Sequence, residues 1–304
     1  MTHYLDVSSD IARQVEAGEL LPGSELPSLR ALADKLGTTP STISRAYRHL
    51  AEAGVIRLTE RRRATIDPDA MLAARRLFAT QPVFRLAGSD DPALDVVLRR
   101  AGRAIVTVGT RGSFQGLTAL WRGSADGAAI HLLHHSGVYN APFASAMLRG
   151  RQPTLIHLWR REQGLLVPPG NPRRITTPAD LAKLRVAKRE FGAGTRVLLD
   201  RMLEDAGIAP HSVEGPEAGS HLEVGLAVAS GVADVGLCVR AVAMALELEF
   251  VPLVWEEYDV VLSAESLGAA GPLIDVLRDE TAQALIHALG GYDASQAGAV
   301  RSLD

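Results

Sequence analysis

The sequence predicts an α/β chain in two parts, a small helical head with a basic hairpin followed by a larger body of alternating strands and helices. Three observations predict it. Helix-period apolar stripes punctuated by Pro and Gly occupy the first 66 residues, strand–turn–helix units recur beyond them, and 304 residues with 47% hydrophobic content suffice for two cores.

The bulk numbers exclude several classes. With 32 Lys and Arg against 35 Asp and Glu, the chain lacks the cation excess needed to coat nucleic acid, so any DNA contact must be local. Cys238 is the single cysteine, which leaves neither an intrachain disulfide nor a cysteine zinc site and suits a reducing compartment. Met1 to Ile11 is polar and does not read as a secretory signal. The most apolar stretch, Leu222 to Leu253, is interrupted by Glu223, Asp234, Arg240 and Glu247, so no membrane span is expected. A cytoplasmic protein is the expectation.

In the head, Ile11, Val15 and Leu20 suggest a first helix stopped by Leu21-Pro22-Gly23. Ser28 is a candidate N-cap for a second helix, whose stripe Leu29, Leu32, Ala33, Leu36 ends at Gly37. After Thr38-Thr39-Pro40 a third helix sets Ile43, Ala46, Tyr47 and Leu50 on one side and Ser41, Thr42, Ser44, Arg45 and Arg48 on the other. Two helices joined by a glycine turn, with hydroxyls and arginines outward on the second, suit a major groove. Gly54 to Leu58, a tip Thr59 to Arg63, and Ala64 to Ile66 then form a hairpin. Arg45, Arg48, Arg57, Arg61, Arg62 and Arg63 face only Glu52 and Glu60, so positive charge gathers where phosphates would lie. A solvated three-helix domain with an arginine-rich loop is the plain alternative.

Leu26-Pro27-Ser28-Leu29-Arg30, Leu32-Ala33, Thr39 through Tyr47, Leu50, Gly54 and Ile56 resemble the winged helix-turn-helix of the GntR family over residues 3 to 66. The resemblance implies a homodimer on a pseudo-palindromic DNA operator. The residues expected at DNA are Ser28, Arg30, Ser41, Thr42, Ser44, Arg45, Arg48, Arg61, Arg62 and Arg63. Arg61-Arg62-Arg63-Ala64 stands where the family usually has Gly-x-Gly in its wing.

Residues 67 to 82 read as a linker containing a short helix, Met71 to Ala79, that acts as a hinge. From 83 onward come a strand at Val83–Ala87 with a turn through Asp91 and a helix through Leu94 and Leu98, a strand at Ala104–Val108 with a helix through Leu117 and Leu120, and strands at Gly127–His131, Gly164–Val167 and Leu184–Ala187. The turn Gly192 to Arg196 leads into helix Val197–Ala206; helix Leu222–Ser230, strand Val235–Val239 and strands at Phe250–Val254 and Val260–Leu262 complete the pattern. Such repeats predict mostly parallel sheets with ligand crevices at strand ends. The turns at Ser89, Ser113 and Thr195 each pair helix-start N–H groups with a hydroxyl, a chemistry that holds anions; the alternative is that each hydroxyl only caps its own helix.

The strings Gly88-Ser89-Asp90-Asp91-Pro92, Gly112-Ser113, His131-Leu132, Tyr139-Asn140, Arg161-Glu162-Gln163-Gly164, Gly170-Asn171-Pro172, Gly192 through Arg196, Ser220-His221, Ala233 through Gly236 and Gly290-Gly291-Tyr292 resemble the periplasmic-binding-protein-like, often called molybdate-binding, domain found fused to helix-turn-helix heads. It implies a type II two-lobed body that closes on its ligand, lobe one about 83–158 and 255–304, lobe two about 163–250, with crossovers near Trp159 to Gln163 and Pro252 to Trp255. The residues expected around a small oxyanion, molybdate or tungstate, are Ser89, Asp90, Ser113, Gln115, Tyr139, Lys188, Gly194, Thr195, Arg196 and His221. Lys188-Arg189 replaces an Asn-Arg pair. Asp90 and Asp91 would repel an inward anion and are expected to cap the helix from outside. A small organic anion or zwitterion such as a sulfonate is the alternative ligand, the acids suiting one that bears an ammonium group. Lobe closure is expected to act through the linker on operator affinity.

An enzyme is the less favoured class. A pyridoxal-phosphate-dependent regulator needs a cofactor lysine, and the body offers only Lys183 and Lys188; Ala229-Ser230-Gly231-Val232 lacks the leading glycine of a nucleophile elbow. His131, His134, His135 and His157 do not form a His-Glu-x-x-His helix, so no metal and no cofactor are expected.

Overall fold

The computed structural model describes residues 3–59, 62–68, 70–77, 83–109 and 112–303. The chain divides between Val83 and Phe84 into two units.

In the first unit, α1 (Tyr4–Glu16) starts with a capping box between His3 and Asp6 and buries Val7, Ile11 and Val15, spaced one turn apart. Leu20 lies beyond its end. The Ser28 hydroxyl caps α2 (Leu29–Leu36), which stops where Gly37 takes a left-handed φ of 61° and Thr38 N–H reaches back to the Ala33 carbonyl. Thr39 caps α3 (Pro40–Glu52), and Pro40 fits its first turn because no donor is needed there. Ile43, Ala46, Tyr47 and Leu50 are buried, and the Tyr47 hydroxyl donates to the Pro27 carbonyl at 2.9 Å, fixing α3 against the start of α2. Strands β1 (Ile56–Arg57) and β2 (Thr65–Ile66) pair antiparallel, with Glu25 bridged to Thr65 on the outside.

One expectation is corrected here. The helix assigned to a hinge is α4 (Ala70–Leu77), and its Ala70 and Ala74 lie buried in the same apolar cluster as Val7, Ile11 and Leu50. Small residues one turn apart let α4 approach α1 closely, so it belongs to the head. Residues 78–82 lie outside the described residues.

The second unit begins β3 (Phe84–Gly88), α5 (Pro92–Ala101), β4 (Ile105–Thr107), α6 (Ser113–Trp121), β5 (Gly127–Ile130) and α7 (Ala141–Met147). Two strands of 15 residues, β6 (Pro153–Val167) and β10 (Glu249–Ser263), run antiparallel to each other along their whole length. Between them in sequence lie β7 (Val186–Arg189), α8 (Gly194–Asp205), β8 (Glu217–Ala218), α9 (His221–Ala229), β9 (Val235–Val239) and α10 (Arg240–Ala245); α11 (Gly271–Arg278), α12 (Glu280–Ala288), β11 (Tyr292–Asp293) and β12 (Val300–Ser302) follow.

The strand order β4-β3-β5-β10-β6-β9-β7-β8 contains two sheets that share the long ribbon. In lobe one β3 is parallel to β4 and β5, and β5 meets the C-terminal half of β10. In lobe two β9 meets the C-terminal half of β6, and β7 is parallel to β9 and β8. The ribbon's register slips between Pro252 and Val254 and between Tyr258 and Asp259, where it passes from one lobe to the other. This is the two-lobed, type II architecture.

The short strands expected at Gly164–Val167, Phe250–Val254 and Val260–Leu262 are thus pieces of two long ones. Arg160 to Gln163 and Glu256 to Asp259 interrupt the apolar pattern, because here one face of a strand buries polar side chains. Trp159, Arg161 and Gln163 alternate onto that face and are fully buried.

Lobe one packs α6 onto β3 at backbone contact. A Cβ on Gly116 would stand 2.5 Å from the Gly88 Cα. Gly116→Ala is therefore expected to cost the second unit about 1–3 kcal/mol by forcing that contact apart, measurable as a lower urea midpoint with unchanged slope.

Candidate functional site

In the head, Ser41, Arg45 and Arg48 are exposed on the outer face of α3 with Ser44 and Thr42 half-buried between them. Ser28, Ser44, Arg48, Arg62 and Arg63 line one concavity of about 400 Å³ that runs from the start of α2 across α3 to the wing. The Arg45 guanidinium lies 4.4 Å above the Tyr4 ring, which steadies a long side chain on an exposed face. Arg30 is exposed on α2, and Arg63 faces Glu25 at 3.6 Å, an exposed pair of little energetic weight. Arg61 lies outside the described residues.

In the second unit the side chains at the lobe crossing form one buried network. Arg161 sits in β6 directly between Glu256 of β10 and Tyr292 of β11. Its Nε donates to Glu256 Oε1 at 2.7 Å, its Nη1 donates to Asp91, and its plane stacks 4.5 Å from the Tyr258 ring centre. Asp91 also caps α5 through Ala93 N–H and accepts from the Tyr292 hydroxyl at 3.1 Å. Gln163 Nε2 donates to Glu256 Oε1 at 2.6 Å and to Thr195 Oγ1 at 3.3 Å, linking the ribbon to the start of α8. His131 Nδ1 lies 3.2 Å from Glu256 Oε2 and its Nε2 lies 3.0 Å from Ser89 Oγ. Ser89 and Ser113 hydroxyls are 3.0 Å apart, and Ser113 Oγ also accepts from His131 N–H at 3.2 Å.

Asp90 carries the network across the lobes. One carboxylate oxygen accepts from Arg189 Nη2 at 2.6 Å and the other from the His221 N–H at the start of α9 at 3.1 Å. The lobes are shut to backbone contact: a Cβ on Gly194 would come within 2.6 Å of the His131 ring, and one on Gly112 within 3.0 Å of the Ala193 Cα.

Charge state follows from burial. Burial alone would raise the Glu256 carboxyl, but His131 and Arg161 beside it, with hydrogen bonds from His131 and Gln163, hold it at about 2. Burial raises Asp91 against the pull of Arg161. Burial lowers the His131 imidazole although Glu256 pulls it up, and burial with Arg189 and Arg161 drives His221 well down. Burial pushes the Cys238 thiol, 3.3 Å from His221 Nδ1, up to about 12. The ring of His221 is therefore neutral.

Four polar atoms in this network are buried with no hydrogen-bond partner among the described residues: Arg161 Nη2, Arg189 Nε, Gln163 Oε1 and His221 Nε2. Each such atom costs about 1–3 kcal/mol and more when charged, so the set is where unmet hydrogen-bonding capacity is concentrated.

The sequence-predicted ligand residues divide. Ser89, Asp90, Ser113, Gly194, Thr195 and His221 meet in the network. None of the three hydroxyls caps its own helix; those of Ser89 and Ser113 are turned to each other and to His131, and that of Thr195 accepts from Gln163. Lys188 and Arg196 are engaged elsewhere: Lys188 Nζ donates to the Val213 carbonyl at 2.6 Å, and Arg196 pairs with Asp200 and Glu217. Adjacent strand residues point to opposite faces, so Arg189, and not Lys188, reaches the lobe crossing. Gln115 is exposed on α6, and Tyr139 is half-buried with its hydroxyl buried and unpartnered among the described residues. Sequence reasoning weighed Asp91 only for a zwitterionic ligand, and missed His131, Arg161, Gln163, Arg189, Glu256, Tyr258 and Tyr292 as site residues. A period of two through Trp159, Arg161 and Gln163 was the available signal.

Among the described residues no cluster of three or more His, Cys, Asp or Glu is placed to hold a metal ion, and no helix is long and apolar enough to cross a membrane.

A groove-reading head and a two-lobed body with a polar site at its crossing define a transcription regulator that senses a ligand. Residues 3–66 match the description "Bacterial regulatory proteins, gntR family", and residues 97–278 match "PBP superfamily domain"; the chain belongs to the PBP superfamily and carries a GntR-type head. The uncharacterized protein YvgK of Bacillus subtilis is 31% identical over 223 residues, 71% of this chain and 72% of that one. The HTH-type transcriptional regulator CbbR of Xanthobacter flavus is 27% identical over 287 residues, 85% of each chain. The sulfate-binding protein SubI from Mycobacterium tuberculosis superposes with a TM-score of 0.52 at 16% identity, covering 70% of this chain and 86% of that one, a likeness of fold alone.

The two lowered imidazoles give a signed expectation. With their pKa values lowered in the folded state, they hold fewer protons than the unfolded chain does near and below about pH 6.5, so stability rises with pH there. Acidification from about pH 7.5 to 5.5 should destabilise the second unit by up to ~1.4 kcal/mol per pH unit for each imidazole. Unfolding titrations across that range should show a shallower slope in His221→Asn.

Proposed function

We propose that this regulator binds a small oxyanion at the lobe crossing and reports it to an operator bound by the head. The observation that carries the reading is the pair of buried guanidinium N–H groups without partners among the described residues, Arg161 Nη2 and Arg189 Nε, one on the ribbon and one in lobe two. Guanidinium groups match oxyanions in charge and in the spacing of their donors. Molybdate and tungstate are the ions that the sequence resemblance suggests, and a sulfate-binding protein shares the fold. A small organic anion or zwitterion such as a sulfonate is the second reading; the inward placement of Asp90, Asp91 and Glu256 favours its zwitterionic form, an amino-sulfonate whose ammonium group faces acids. The reading needs no cofactor.

A homodimer on a pseudo-palindromic operator is part of the proposal, with Ser28, Arg30, Ser41, Thr42, Ser44, Arg45, Arg48 and Arg61 to Arg63 facing DNA. Arg161, Gln163, Arg189 and His221 join Ser89, Asp90, Ser113 and Thr195 around the effector.

Titration calorimetry of the full chain with molybdate, tungstate, sulfate, phosphate and methanesulfonate tests the site; heat of binding from none of them would remove the anion reading. Arg45→Ala should abolish the mobility shift of operator DNA while leaving anion affinity within about twofold, since substitutions in separate units that share no partners act independently. Loss of both together would contradict two separable functions.

A further inference from the structure

The same network contains an acceptor as well as donors, and this deepens the small-anion reading on which it rests. All the carboxylate oxygens of Asp90, Asp91 and Glu256 already accept or face a donor: Asp90 from Arg189 and His221 N–H, Asp91 from Ala93 N–H, Tyr292 and Arg161, Glu256 from Arg161, Gln163 and the His131 ring. The Gln163 carbonyl oxygen has no donor among the described residues, although the side chain is fully buried. Its amide cannot be turned over to cure this, because the flipped oxygen would stand 2.6 Å from the Glu256 carboxylate in place of the Nε2 that donates to it. The His221 Nε2 does not decide the matter, since its role follows the tautomer set by the Cys238 contact.

A bare dianion such as molybdate, tungstate or sulfate has only acceptors near neutral pH. It would satisfy Arg161 Nη2 and Arg189 Nε and leave Gln163 Oε1 buried and unmet. We infer that the site is built for an anion that also carries a hydrogen-bond donor, and that Gln163 is the residue that reads it. The shared chemistry is an anionic group with an adjacent O–H or N–H, supplied either by a protonated phosphoryl group or by a hydroxyl on a small organic acid. A site with a buried partner for a ligand donor rejects the analogue lacking it far more strongly than shape alone permits.

The test is calorimetry on the full chain near neutral pH with three matched pairs: phosphate and sulfate, methylphosphonate and methanesulfonate, 2-hydroxyethanesulfonate and ethanesulfonate. The donor-bearing member of at least one pair should bind roughly tenfold or more tightly. Preference in the first two pairs marks a protonated phosphoryl group, and preference in the third marks an organic hydroxyl. In Gln163→Met that preference should fall to near parity whatever affinity change the two members of a pair share, a pattern that mere loss of packing does not produce. If Gln163→Met fails to fold, Gln163→Asn, which draws the amide back by one methylene, should show the same loss. Equal binding within every pair, or a preference that survives in these variants, overturns the inference and leaves the small-anion reading standing. Binding of no probe at all overturns both.

Discussion

Arg161 is the charge around which the second unit is assembled. Taking a guanidinium fully out of water costs several kcal/mol, and the cost is offset to the extent that its donors and its face find partners. Here Glu256 lies directly across the ribbon, Asp91 arrives from the first turn of lobe one, and Tyr258 offers its ring. Tyr292, brought back by the C-terminal strand on the opposite edge of β6, binds the far oxygen of Asp91. One cation thus ties together the first turn after β3, both strands of the ribbon and the return of the chain end. It explains why Trp159, Arg161 and Gln163 can line a buried strand face that would otherwise be apolar.

From that centre outward the contacts between lobes are few and polar. Asp90 bridges to Arg189 and to the start of α9, Gln163 bridges to Thr195, and Gly194 lies on His131. Hydrogen bonds of this kind exchange with water at a net cost of roughly 1 kcal/mol each. A ligand that meets both Arg161 on the ribbon and Arg189 in lobe two adds its free energy to the shut form alone, and a difference between states is what shifts a population. Asp90 has a particular place in that balance. Its carboxylate occupies the start of α9 and one Nη of Arg189, so under the proposed reading the chain supplies part of the anion site itself and the effector would complete it through the Nε that Asp90 does not use.

Much of this was legible in the sequence, and the illegible part has a common cause. Ser28 and Thr39 announce α2 and α3 because a cap is a local signal, and strand β9 reads directly from an unbroken apolar run. The linker helix was misassigned since burial of Ala70 and Ala74 depends on α1, distant in sequence. The long strands broke into fragments at Arg160 to Gln163 and at Glu256 to Asp259, where charge normally means solvent. The hydroxyls of Ser89, Ser113 and Thr195 were found through their glycine turns, but the guanidinium groups that leave donors open were not. Lys188 and Arg189 differ by one residue, and one residue in a strand is the difference between two faces.

The electrostatics of the crossing explain how acids and an anion can share a site. Arg161 and Arg189 face Asp90, Asp91 and Glu256, and burial disfavours the charged form of the His131 and His221 imidazoles, so the cluster has little net positive charge to attract an anion from afar. Attraction is instead local and directional. The carboxylate lone pairs are already covered by donors, whereas the open positions include two cationic N–H groups, and in a low-dielectric interior the nearest groups dominate. Selectivity in such a site comes from matching each open donor and acceptor in turn, and a misplaced ligand proton or a missing one leaves a buried group unpaired. A sensor built this way responds to the chemical identity of a small anion more than to its charge.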